Sequence, residues 1–217
     1  MTKEEILGRL ESLPFIEIFH VEETCAVVYN QQAETDFTVR FAEFFTKEDL
    51  KALIHICSGI PKELQFDSAS MAEYLWQVMD HNAFLTLGGL WFVWEDADYS
   101  RIAKFHEYGD AVLLPEYKAT GCMWFQRQVC IVDVGRILAQ LEKKYPNYRE
   151  DPDFDATGYL RRELVVTALH ELRHLMLDTN PALPIDQYPL ELGNEAMVER
   201  YAQELCEDNS IAHIFTN

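Results

Sequence analysis

Basic charge is scarce in this chain: 18 Lys and Arg stand against 37 Asp and Glu in 217 residues, a formal charge of −19. No Lys/Arg cluster is long enough to follow a phosphate backbone, which argues against nucleic acid and anionic membranes as partners. A bilayer-spanning apolar run is missing too. The opening Met1-Thr2-Lys3-Glu4-Glu5-Ile6-Leu7 has no uncharged apolar core of signal-peptide length. Paired cysteine spacing is also absent: Cys25, Cys57, Cys122, Cys130 and Cys206 are odd in number, scattered and without CxxC. The expectation is a cytoplasmic chain with reduced, mostly buried thiols. Internal repeats and low-complexity segments do not occur.

What remains is ordinary globular material, 48% hydrophobic and 12% aromatic, enough for one domain with a substantial core. Thr2 and Glu5 have capping-box form, so residues 3–12 read as a helix that ends before Pro14. Residues 15–20, 24–29 and 37–45 are rich in aromatic and β-branched side chains and read as three antiparallel strands. Thr46-Lys47-Glu48-Asp49 starts a helix expected to run to Ser58-Gly59, and another is expected from Ser70 to about His81. Strands resume at Leu90 to Glu95, Ala111 to Tyr117 and Cys122 to Val134, the last an apolar run suited to a central or site-lining strand. A short helix over 136–145 and a linker over 146–154 lead to a long helix from about Thr157 to Asp178. The lone histidines His55 and His81 read as structural.

The chemistry concentrates in that long helix. His170 and His174 are four residues apart and therefore share a face, with Glu171 beside them. Two imidazoles one turn apart can hold zinc, and an adjacent carboxylate can take a proton from the water that the metal activates. By itself the pattern also fits two satisfied core histidines. A catalytic zinc needs a third protein ligand. Downstream, Asn194 can cap a second helix that runs to Cys206, with Glu195 in its first turn and Glu199 one turn on. Packed antiparallel to the first helix, it would bring Glu195 to the metal and Glu199 to the free nitrogen of a ligating imidazole.

His170-Glu171-Leu172-Arg173-His174 followed by Gly193-Asn194-Glu195-Ala196-Met197-Val198-Glu199 resembles the gluzincins. This is the thermolysin-like branch of the zincin metallopeptidases, whose pattern is HExxH, a loop, then N-E-A-x-x-x-D. The resemblance spans residues 160–205 and implies one zinc ion on His170, His174 and Glu195, with Glu171 as general base. Glu199 matches the outer acid, as Glu where the family often has Asp. Leu177 and Asn180 stand where metzincins carry Gly and His. Glu195, Ala202 and Leu205 are similar to a run in small intracellular zincins that cleave repressors.

The fold so implied is α+β and zincin-like, with a twisted, mostly antiparallel sheet. It forms a single domain over 1–217, with a sheet-containing lobe over 1–148 and a helical lobe over 149–217 carrying the metal. The implied activity is zinc-dependent hydrolysis of a peptide or protein substrate lying along a strand edge near Cys122 to Val134. Tyr188, Tyr201 and His213 are candidate donors to the developing oxyanion. Two alternatives stand beside this reading. One is a zincin-like regulatory or interaction module that binds metal without proteolysis. The other is a deformylase-type metallohydrolase, since Gly121-Cys122 faintly resembles the metal-binding Gly-Cys of peptide deformylases. Arg173, however, stands where those enzymes carry Asp, and their glycine-rich loop is missing.

Overall fold

The computed structural model describes residues 1–31, 34–106, 119–124, 128–179 and 194–215. The strand expected over 111–117 and the Pro-rich loop over 180–189 lie outside them. Helix α1, Lys3–Ser12, begins as its sequence dictates: Thr2 Oγ1 accepts from the Glu5 amide at 3.3 Å, and the Glu5 carboxylate accepts from the Thr2 amide at 2.8 Å. Strands β1 (Ile16–Val21), β2 (Cys25–Asn30) and β3 (Thr35–Arg40) follow as an antiparallel meander.

Helix α2, Lys47–Ala52, has the expected Thr46/Asp49 cap but ends six residues before Ser58. Ile54–Ile56 instead forms strand β4, pairing in parallel with Leu90 to Phe92. Two isoleucines beside a buried strand gain more as strand than as a last helical turn. Helix α3 spans Ser68–Val78, starting on Asp67 and stopping short of His81, whose ring stacks on Trp76 with centroids 3.7 Å apart. Strand β5, Gly89–Val93, is fully buried and leads into α4, Asp96–Phe105, a helix that the sequence pattern did not announce. The residues expected as one strand over 122–134 form two: β6 (Gly121–Trp124), and β7 (Val129–Asp133) antiparallel to it. Asp133 accepts from the Arg136 amide and caps α5, Val134–Lys144. Helix α6, Ala156–Thr179, and helix α7, Glu195–Asp208, complete the order.

The molecule is thus mixed α and β, with two sheets among the described residues. The three-stranded sheet is antiparallel as expected, but the four-stranded sheet, in the order β4-β5-β7-β6, is mixed. In it β4, β5 and β7 run parallel and only β6 opposes its neighbour, which corrects the expectation of a mostly antiparallel sheet there. Parallel neighbours need long crossovers, and α3 and α4 lie in those connections. Alternation along β5 and β7 sorts the two faces. Leu90, Phe92, Cys130 and Val132 join a main core with Leu164, Val165, Leu169 and Leu172 of α6. Trp91, Val93, Val129 and Ile131 pack with Tyr99 and Ile102 of α4.

The main core draws side chains from Ile6 to Phe215, on both sides of residue 148. Leu172, between the two motif histidines, is fully buried in it. Leu172→Ala is expected to cost about 2–5 kcal/mol, because a helix held on several sides cannot close the cavity. Urea unfolding of the variant measures this, as a lower midpoint with an unchanged slope.

Candidate metal centre

Helix α6 is 24 residues long and packs against β6, β7 and α7. Its fixed orientation follows from its apolar face: Leu164, Val165, Ala168, Leu169, Leu172 and Leu175 are buried. Cys130 of β7 adds a tie, its thiol donating to the Glu171 carbonyl at 3.4 Å. The face left over carries Thr167, His170, Glu171 and His174, which line a cleft of about 560 Å³. Ala119 to Met123 line it from the β6 side, Gln140 from α5, and Glu195 and Glu199 from α7.

Helix α7 is placed by its own start and by contacts at both ends. Asn194 accepts from the Met197 amide at 3.3 Å, while Arg162 Nη2 reaches Glu207 at 2.8 Å. Since Glu195 lies by His174 and Glu207 by Arg162, α7 runs antiparallel to α6. The result is a triangle of donors. His170 Nε2 and His174 Nε2 are 3.0 Å apart, and Glu195 Oε2 lies 3.2 Å from the first and 3.4 Å from the second. Among the described residues this is the group of His, Cys, Asp and Glu side chains able to hold a metal ion.

The edges of that triangle test whether zinc fits. Bonds of 2.0–2.1 Å at tetrahedral angles require donors about 3.3–3.4 Å apart, and 3.0, 3.2 and 3.4 Å come close to that without rearrangement. The chemistry agrees. Two ring nitrogens at 3.0 Å can satisfy each other only if one carries a proton and the other does not, whereas both can donate a lone pair to a shared cation. On the far side of the ring, His170 Nδ1 faces Glu199 Oε2 at 3.2 Å, an ion-pair distance without hydrogen-bond geometry, so Nδ1 is buried without a hydrogen bond. Glu199 is itself held by Gln203, whose Nε2 donates to Oε1 at 2.5 Å.

Glu171 is buried, 6% exposed, one residue from His170. Desolvation, reinforced by the charge of Glu195, pushes its carboxyl up to about 8. It packs directly on Gly121, where a Cβ would come within 2.4 Å of Glu171 Oε1 and 2.6 Å of Thr167 Cγ2. That close approach was missed in the sequence, although a glycine in a strand is its usual signal. Cys122 also lines the cleft but stands outside the donor triangle. Burial first, then the charge of Glu171, raises its thiol to about 12, so it is no ready thiolate.

The other candidates fall away from the cleft or outside the described residues. Tyr201 lies under the Arg173 guanidinium, 4.4 Å from ring centroid to Cζ. His213 sits by Tyr74 on α3, ring centroids 6.0 Å apart. Neither lines the cleft, and Tyr188 is not among the described residues. No helix among the described residues is long and apolar enough to cross a membrane. No protein-family model, curated protein or solved structure matches this chain.

Proposed function

We propose that the chain is a zinc-dependent peptide hydrolase of gluzincin type. The observation that carries this reading is the position of Glu195, whose carboxylate lies within 3.2 and 3.4 Å of both motif imidazoles. The sequence pattern by itself predicts that residue as a ligand, 21 positions beyond His174. When bound, zinc supplies Lewis acidity toward a water and toward a carbonyl oxygen.

The protein's own groups do the rest. His170, His174 and Glu195 would hold the ion, and Glu199 faces the His170 ring at Nδ1, where an outer acid would steady it. With a bound cation beside it favouring the ionised form, Glu171 would take the proton of the attacking water on its carboxylate and return it to the leaving amine. Its burial beside Gly121 keeps that side chain largely out of bulk water. Among the described residues strand β6 is the last of its sheet, and its outer edge would offer main-chain hydrogen bonds to an extended peptide. Keeping a carboxyl buried at this spot costs stability, which a purely structural metal site has no reason to bear.

The test pairs metal analysis with one substitution. Protein washed with chelator and refilled should bind one zinc and cleave members of a mixed peptide library. Glu171→Gln should keep its zinc and lose about 10²–10⁴-fold in rate. Zinc without cleavage of any peptide would favour the non-proteolytic module, and failure to bind zinc would sink both.

A further inference from the structure

The cleft does not end at Gln140. That residue also lines a second, larger groove of about 920 Å³ between α5 and α6, bounded by Arg136, Ala139, Lys143, Lys144, Tyr159, Asp96 and Glu163. The two are joined at one end of β6. There the Thr120 carbonyl accepts from the Asp133 amide at 2.7 Å, and Asp133 begins α5. A peptide reaching from the cleft into this groove would pass Gln140, which borders both.

The sign of the charge reverses on the way. Among the described residues, the cleft holds the carboxylates of Glu171, Glu195 and Glu199 and no Lys or Arg. Beyond Gln140 stand three cations, in a chain that has only 18. Two carboxylates share the groove, each beside a guanidinium, and Glu163 also feels the charge of Lys144. Asp96 lies 3.8 Å from Arg136, which also meets Asp133 at 3.1 Å, and Glu163 lies 3.7 Å from Arg162. Lys143 and Lys144 are left over. Among the described residues no carboxylate oxygen lies within 4 Å of either ammonium, and Lys144 rests over the Tyr145 and Tyr159 rings. Both sit in the last turn of α5, where a cation also complements the helix dipole.

We propose that this groove is a subsite for acidic side chains, with Lys143 and Lys144 selecting a peptide that carries Asp or Glu to one side of the bond cut at the cleft. Calling the occupant a substrate segment rests on the peptidase reading above; the affinity for acidic side chains does not. On a surface of charge −19 an acidic peptide meets net repulsion, so two ammonium groups with no carboxylate at ion-pair distance, beside a concave site, give selection as well as attraction.

Two measurements test this. In the first, fluorescein-labelled octaglutamate and octaglutamine peptides are titrated against zinc-refilled protein and followed by anisotropy. Octaglutamate should bind about tenfold more tightly, the sum expected for two exposed charge contacts. The preference should vanish in Lys143→Gln/Lys144→Gln and reverse toward octalysine in Lys143→Glu/Lys144→Glu. The Gln pair keeps the test usable if the Glu pair fails to fold. Equal binding of the two peptides, or a preference surviving in the variants because the metal alone holds the carboxylates, overturns the proposal. In the second, cleavage products of a mixed proteome-derived peptide library are sequenced. Asp and Glu should be enriched on one side of the cut for the natural protein and not for the Gln pair. Cleavage without that enrichment overturns the subsite and leaves the peptidase reading standing. Lysine-dependent octaglutamate binding with no cleavage at all keeps the subsite and rejects the peptidase.

Discussion

Glu195→Ala is expected to abolish stoichiometric zinc binding while leaving the fold in place. The side chain is 72% exposed, so truncation removes little packing. Apart from its contacts with the two imidazoles, it places a negative charge in the first turn of α7, worth about 0.3–1 kcal/mol. As a donor it matters far more, because without it two imidazoles remain, one fewer than a catalytic zinc needs. Loss of an outer partner of a ligand costs about 10–100-fold in metal affinity, and loss of the ligand itself should exceed that. Competition against a chromophoric chelator reads the affinity directly. A second readout is thermal. Zinc at about a thousand times its dissociation constant stabilises a native site by roughly 4 kcal/mol, a gain that natural protein should show and Glu195→Ala should not. Zinc bound one to one in the variant, with the melting gain intact, would remove Glu195 from the site.

How far the site was legible follows from where its information is stored. The histidine pair, the Asn194 cap and the Glu195/Glu199 spacing are local to one helix each, so helical periodicity alone places them. The same holds for the Thr2/Glu5 and Thr46/Asp49 capping boxes, which start α1 and α2 as expected. What the chain does not announce locally is pairing. Ile54–Ile56 looks like the end of a helix until β5 lies beside it, and β5 is 33 residues further on. Helix α4 opens on Glu95 and Asp98 rather than on Ser or Thr. Its stability comes from Asp98, fully buried, accepting from the Trp94 and Glu95 amides. The break of the run over 122–134 into two strands went unseen for a related reason. Apolar content says that a segment is buried, not that it folds back on itself.

Gly121 is the clearest case of information that exists only in the assembled fold, and replacing it should have the most selective effect. A Cβ there would stand 2.4 Å from Glu171 Oε1, 2.6 Å from Thr167 Cγ2 and 2.9 Å from Glu171 Cγ, all closer than atoms tolerate. Something must move. Strand β6 is held by its register with β7, Gly121 opposite Val132 and Cys122 opposite Ile131, and by the Thr120 to Asp133 hydrogen bond. Helix α6 is held by the main core. The freest neighbour is the Glu171 carboxylate itself, which turns away from the cleft.

Gly121→Ala should therefore lower stability by about 1–3 kcal/mol, as overpacking does. It should also slow hydrolysis by about 10²-fold, the order expected when a reacting group is misplaced by an ångström. Zinc affinity should stay within a few-fold of the natural protein, since the three atoms nearest the new methyl group belong to Glu171 and Thr167 and not to His170, His174 or Glu195. The double variant Gly121→Ala/Glu171→Ala separates strain from chemistry. Removing the carboxylate opens space for the methyl group, so part of the lost stability should return while activity stays absent, and the two substitutions should be non-additive in denaturant unfolding. Additive losses would mean that β6 or Thr167 takes the strain instead, and full activity in Gly121→Ala would mean that the base does not need its place against the strand.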